Sequence, residues 1–290
     1  MRISIFYRTD RLMHIDAHQH YWIYNPDEYG WIDDSMGALR RDFLPEHLRP
    51  ELESNDFQGS VVVQTRQTLE ETRWLLELAD HSPTILGVVG WIDLQSPRVH
   101  SQLTEFTKNP KLVGIRHIVQ SEPDDQFLLR PDFLRGMSLL EEFDLAYDIL
   151  IYTRHLTVVA EFVEQFPRQR FVLDHLAKPP IKSGDIESWA SGIRRVAAFP
   201  NVFCKMSGLV TEADWKHWTP EQITPYLDVA FESFGSDRLM IGSDWPVCLV
   251  AASYRRVVDV VKNYLRRYTP EVRAAVLGGN AQRFWHLRLK

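Results

Sequence analysis

Apolar runs of strand length alternate along this chain with amphipathic stretches of helical period, and that alternation limits the fold more than any other feature. The strand-like runs fall at 13–17, 59–65, 86–92, 112–119, 146–152, 170–176, 201–207 and 238–243. Between them, residues 69–79 set Leu75, Leu76, Leu78 and Ala79 beside Glu70, Glu71, Arg73 and Glu77. Residues 133–143 and 156–166 repeat the 3.6-residue period, and Pro45 stands near the start of the first helix. Repeated βα units imply a parallel sheet. Eight of them predict closure into a single α/β barrel of the (β/α)8 TIM type. The alternative, an open doubly wound sheet, would carry a GxGxxG turn after its first strand; this one ends in His18-Gln19-His20. Residues 21–43 form a long first βα loop that would overhang the barrel mouth, and the tail after Glu271 reads as extra C-terminal helix.

A chain of 290 residues suits one barrel. Residues 13–290 are expected to be one domain. Residues 1–12 are expected to be a flexible N-terminal extension, too short and too charged for a signal peptide, with Met13 just before the first strand. The net charge is −6 with no basic block, which argues against a nucleic-acid partner. No apolar run approaches the ~18 residues that span a bilayer, so no membrane partner is expected. Cys204 and Cys248 lack a CxxC pattern and read as reduced thiols of a cytoplasmic protein.

Side chains two apart on a strand share a face, so Asp16, His18 and His20 read as one row at a strand's C-terminal end, where barrel enzymes keep their chemistry. Two such histidines can bind a metal or polarise a carbonyl. Asp244 closes the eighth strand with inward parity; a helix N-cap is its plainer reading. His175 closes the sixth strand, with Asp174 expected to point the other way. Parity puts Arg116 inside and His117 outside, and a buried arginine needs an anion or several acceptors. Arg116, Lys205, His155, Trp22 and Trp31 are candidate substrate contacts, with a salt bridge for Lys205 and a surface position for His155 as alternatives. Ser207 lacks the GxSxG context of a serine nucleophile.

Several of these stretches resemble the amidohydrolase superfamily, and more narrowly its sugar-lactonase branch of fuconolactonase and rhamnonolactonase-like proteins. They are Asp16-Ala17-His18-Gln19-His20, Asp174-His175-Leu176-Ala177-Lys178-Pro179 and Gly242-Ser243-Asp244-Trp245-Pro246. Arg41-Asp42-Phe43-Leu44-Pro45, Gly114-Ile115-Arg116-His117 and Cys204-Lys205-Met206-Ser207-Gly208-Leu209 also fit, and the likeness runs from about Met13 to the end. The resemblance implies an eight-fold barrel that hydrolyses a small-molecule aldonolactone, such as fuconolactone, rhamnonolactone or galactonolactone, to the open acid. It implies a catalytic set of His18, His20, His175 and Asp244. Asp244 would activate water while the histidines and Arg116 polarise the carbonyl. Two-metal members carry a lysine ligand after the fourth strand, where this chain has Arg116-His117. The resemblance therefore implies that no cofactor is required; the alternative is one divalent metal, zinc, on His18, His20 and Asp244. A metal-dependent decarboxylase of the related family and a non-catalytic sugar-acid-binding barrel are the rival readings. A homo-oligomer is compatible with all three.

Overall fold

Eight parallel strands follow one another around the sheet in chain order. The computed structural model describes residues 13–288; the expected extension at residues 1–12 lies outside the described residues. The strands are β1 (Ile15–Gln19), β2 (Gly59–Val63), β3 (Ile85–Gly90), β4 (Leu112–His117), β5 (Ala146–Ile149), β6 (Phe171–Leu173), β7 (Val202–Met206) and β8 (Leu239–Ile241). The last meets the first through the chain just beyond β8. There the Asp244 N–H donates to His18 O at 2.8 Å and the His20 N–H donates to Trp245 O at 2.7 Å. The result is the expected (β/α)8 barrel.

Among the described residues ten α-helices follow the same order: α1 (Pro45–Ser54), α2 (Leu69–His81), α3 (Val99–Phe106), α4 (Pro131–Met137), α5 (Leu156–Glu164), α6 (Glu187–Ala197), α7 (Pro220–Phe234), α8 (Tyr254–Leu265), α9 (Pro270–Ala274) and α10 (Asn280–Phe284). Alternation along each strand sorts the apolar side chains into two layers. Val62, Val88, Ile115, Tyr147, Leu173 and Cys204 face the helices. Val61, Val63, Val89, Ala146, Val172 and Met240 fill the barrel, together with Phe284, Trp285 and Leu287 at the end of the chain. The extra C-terminal helix is thus the floor of the barrel. Among the described residues no helix is long and apolar enough to cross a membrane. Cys204 and Cys248 are both unpaired and buried.

One expectation about β1 is corrected. Asp16 does not share a face with the histidines. Ile15 pairs with Gly59 and Asp16 with Ser60, but Gln19 pairs with Val62, so β1 carries an extra residue between Asp16 and Gln19. Such a bulge reverses the facing of everything after it. Asp16 points outward instead, where its carboxylate accepts from the Ser243 N–H (2.9 Å), the Ser243 hydroxyl (2.6 Å) and the Tyr254 hydroxyl of α8 (3.1 Å). Burial, only partly offset by those bonds, pushes its carboxyl up to about 6. Asp16 therefore ties β1 to the turn after β8 and helps to place Asp244. His18 and His20, beyond the bulge, face the barrel axis.

Candidate active site

Four side chains converge at the C-terminal mouth. His18 comes from β1, His20 from just past its end, His175 from the turn after β6, and Asp244 from the turn after β8. His20 Nδ1 lies 2.7 Å from Val63 O, which can only accept, so Nδ1 donates there. Its Nε2 faces His18 Nε2 at 3.2 Å and Asp244 Oδ1 at 3.3 Å. His18 Nε2 and His175 Nε2 each stand 3.9 Å from the same Asp244 oxygen. Burial lowers both imidazoles, His175 to about 4 and His18 well below its ordinary value, so both are neutral near pH 7. Burial also pushes the Asp244 carboxyl up, but His175, His20 and Lys178 outweigh it and hold it below the usual carboxylate range.

Beneath this cluster lies a fully buried ionic layer. Lys205 of β7 binds Asp148 of β5, and its Nζ stands 2.9 Å from Asp174 Oδ1 and 3.1 Å from His18 Nδ1. Arg116 of β4 donates through Nη1 to Asp174 Oδ2 at 3.0 Å and through Nη2 to Gln64 O. The same Nη1 is 3.3 Å from His18 Nε2. Lys205 also lies 5.0 Å from the Trp285 ring, so the floor of the barrel supports the layer. Burial pushes Asp148 up to about 7 against the pull of Lys205. Asp174 is held well below its ordinary value, because Lys205, His18 and Arg116 together overcome its burial.

The expectation that Asp174 points away from His175 is corrected. Strand β6 ends at Leu173, and His175, Leu176, Ala177 and Lys178 all take left-handed backbone angles, with φ between 51° and 57°. Parity from inward-facing Val172 already brings Asp174 inside, and the left-handed turn that begins at His175 brings His175 inside as well. Non-glycine residues rarely hold this conformation, and runs of it mark sites where backbone strain is retained. Gly208 makes the turn's geometry possible. It has φ +62°, and a Cβ there would sit 2.6 Å from His175 Nδ1. Gly208→Ala is expected to displace the imidazole and lower kcat/KM at least tenfold. Steady-state kinetics beside a thermal melt checks this, since the left-handed backbone alone costs only about 1–2 kcal/mol.

The remaining candidates are placed elsewhere or used differently. Trp22 is fully buried, donates Nε1–H to Arg41 O and packs against Tyr29 and Phe43, so it belongs to the loop's own core and offers no surface to a substrate. Trp31 is 43% exposed on the same loop. His155 is buried, with Nδ1 accepting from the Tyr152 N–H and Nε2 bound to Asp125, so neither nitrogen is free for a ligand. Lys205 and Arg116 lie inside the barrel, committed to carboxylates. His117 lies outside, bound to Glu122. Asp148, Asp174 and Ser207 were not singled out as site residues. Asp148 and Asp174 carry the ionic layer, and Ser207 Oγ holds His175 Nδ1 at 2.9 Å. With that hydroxyl donating, His175 Nε2 carries the proton and faces Asp244. The inward parity of Asp148, two residues after inward-facing Ala146, was the available signal.

His18, His20 and Asp244 form a donor set that fits one divalent cation. Two nitrogens and a carboxylate suit zinc, and their separations of 3.2, 3.3 and 3.9 Å compare with roughly 3.3 Å between ligands around a tetrahedral ion bonded at 2.0–2.1 Å. His20 Nε2, oriented by the Nδ1 bond to Val63 O, is already aimed at that point. A second set, His18, Asp174 and His175, also converges. There Lys205 and Arg116 already neutralise Asp174, and a dication would meet two cations.

The sequence model of the family described as Amidohydrolase matches residues 15–287. An L-fucono-1,5-lactonase of Burkholderia multivorans is 41% identical over 286 residues, covering 95% of this chain and 96% of the relative. A second, from Burkholderia ambifaria, is 38% identical, covering 94% and 95%. A crystal structure of an amidohydrolase from Burkholderia multivorans with bound zinc superposes with a TM-score of 0.93 at 41% identity, covering 95% of this chain and 100% of that one. That zinc, with the converging donors here, overturns the expectation of a centre that requires no cofactor.

Proposed function

Because this chain belongs to the amidohydrolase family, we propose that it opens a sugar lactone to the aldonic acid at the His18, His20, His175 and Asp244 cluster. It is a lactone hydrolase of that superfamily; the choice of sugar and the residue roles are our reading. The observation that carries it is the single Asp244 carboxylate reached by three imidazoles at the barrel mouth. The two lactonase relatives favour an L-fucono-1,5-lactone or a close aldonolactone.

His18, His20 and Asp244 would hold the divalent ion. When bound, it supplies Lewis-acid polarisation and a water of lowered pKa. Asp244, ionised at neutral pH, accepts a proton from the attacking water and returns it to the leaving ring oxygen. His175 Nε2–H donates to the carbonyl oxygen as it gains negative charge. The structure alters one part of the sequence expectation. His18 and His20 turn Nε2 toward the point where the donors converge, so in this reading these two serve as ligands rather than hydrogen-bond donors. Arg116 is spent on Asp174 and Gln64, which makes it a support of His18 before a substrate clamp.

The zinc assignment makes a separate expectation. After loading and desalting, the protein should retain about one zinc per chain by elemental analysis, and His20→Ala should retain less than a tenth of that. Two retained ions would contradict the neutralisation of Asp174 by Lys205 and Arg116. The function itself is tested with a pH indicator on a panel of aldonolactones, with a hydroxylated aromatic acid as control. Acid release on one or a few sugars supports the reading. Loss of carbon dioxide from the aromatic acid, with the lactones untouched, overturns it.

A further inference from the structure

Three large apolar side chains are exposed among the described residues: Ile23 (56%), Trp31 (43%) and Tyr152 (36%). Each belongs to a loop leaving the C-terminal end of a strand, Ile23 and Trp31 after β1 and Tyr152 after β5. In a ring of eight strands the first and fifth stand opposite, so these side chains flank the mouth from two sides. Tyr152 is the one with charged company. Its ring centroid lies 5.2 Å from Lys178 Nζ and 5.0 Å from the Arg154 guanidinium carbon. Lys178 Nζ stands 3.6 Å from Glu212 Oε1, with the two side chains 18% and 22% exposed.

These groups come from the consecutive loops after β5, β6 and β7, and the loops are tied together. The Thr153 hydroxyl donates to Lys178 O at 3.1 Å, and the Lys182 N–H donates to Glu212 O at 3.0 Å. Lys178 is the last residue of the left-handed run that starts at His175. Both charges lie on segments that hold the reacting centre: Lys178 ends the run that begins at His175, and Glu212 follows Gly208, whose Cβ position is 2.6 Å from His175 Nδ1. A half-buried pair of this kind contributes little to stability. It stands instead where the part of a substrate remote from the scissile bond would lie, beside a tyrosine ring that is 36% exposed.

We propose that Tyr152, Lys178 and Glu212 form the subsite for the hydroxylated part of the lactone ring, and so decide which sugar is opened. The proposal rests on the lactone reading above and deepens it. Tyr152 presents a flat face to ring C–H groups. Lys178 donates to hydroxyl oxygens and Glu212 accepts from hydroxyl hydrogens, a pairing that a lactone without hydroxyls cannot use. A buried polar group left unpaired is the strongest source of discrimination a pocket has.

The test uses zinc-loaded Tyr152→Ala, Lys178→Met and Glu212→Gln beside the parent chain. The first readout is the ratio of kcat/KM for L-fucono-1,5-lactone to that for unsubstituted δ-valerolactone. The second is calorimetric affinity for L-fuconate, which needs no turnover. The ratio is expected to fall at least tenfold in Lys178→Met and Glu212→Gln, and the affinity to weaken at least fivefold. A ratio and an affinity both within twofold of the parent, or equal losses on both lactones, overturn the subsite. A parent that opens neither lactone but binds L-fuconate, with the affinity lost in the variants, supports the subsite and defeats the lactonase reading. A parent that neither opens nor binds defeats both.

Discussion

Asp244→Asn is expected to lower kcat for sugar-lactone opening by about 10²-fold or more, the scale on which a positioned general base contributes. The change keeps the size of the side chain and removes only its charge. The main-chain bonds that place the residue are untouched: its N–H still donates to His18 O, and its carbonyl still accepts from the Cys248 N–H. The fold should therefore survive, and near-UV circular dichroism should match the parent. Because Asp244 also belongs to the proposed ligand set, the comparison is made at saturating zinc. A variant that turns over within threefold of the parent under those conditions removes Asp244 from the chemistry.

The second large effect concerns the layer beneath the site. Lys205→Met is expected to destabilise the fold by about 3–5 kcal/mol, because removing one partner leaves buried carboxylates uncompensated. Lys205, Asp148 and Asp174 all have fully buried side chains. Without the ammonium, Arg116 alone faces two carboxylates, and Asp148, already raised to about 7, would take up a proton at neutral pH. Urea unfolding checks this: the midpoint should fall with the slope unchanged. Lys205→Met combined with Asp148→Asn should recover part of the loss, since the two residues share one interaction. A single variant less than about 1 kcal/mol below the parent would show that the layer contributes little to holding the barrel together.

Strand alternation made the barrel legible before any coordinates. Each βα unit carries its own period, and short parallel strands buried on both faces leave a strong local signal. Parity then served wherever a strand stayed regular. Arg116, two residues after inward-facing Gly114, enters the interior, and His117 leaves it. The same rule failed at two places for two physical reasons. At Asp16 the bulge in β1 adds a residue, which no local pattern announces, and the acid turns outward to Ser243 and Tyr254. At His175 a run of left-handed residues replaces the strand, and none of His175, Leu176, Ala177 and Lys178 is a glycine that would have flagged it. Trp22 and His155 show a different ambiguity. An aromatic or a histidine in a loop after a strand can serve the loop's own packing as readily as a ligand. The cofactor expectation erred because it weighed the missing fourth-strand lysine, a feature of two-ion centres, against a site whose donors fit one ion.

The most direct test of sugar-lactone opening at this cluster is proton release from L-fucono-1,5-lactone by the zinc-loaded protein, measured beside Asp244→Asn and the spontaneous rate. The parent is expected to release acid far faster than the blank, with the variant close to the blank. Release by the parent at the spontaneous rate, on this and every neighbouring aldonolactone, would contradict the assignment.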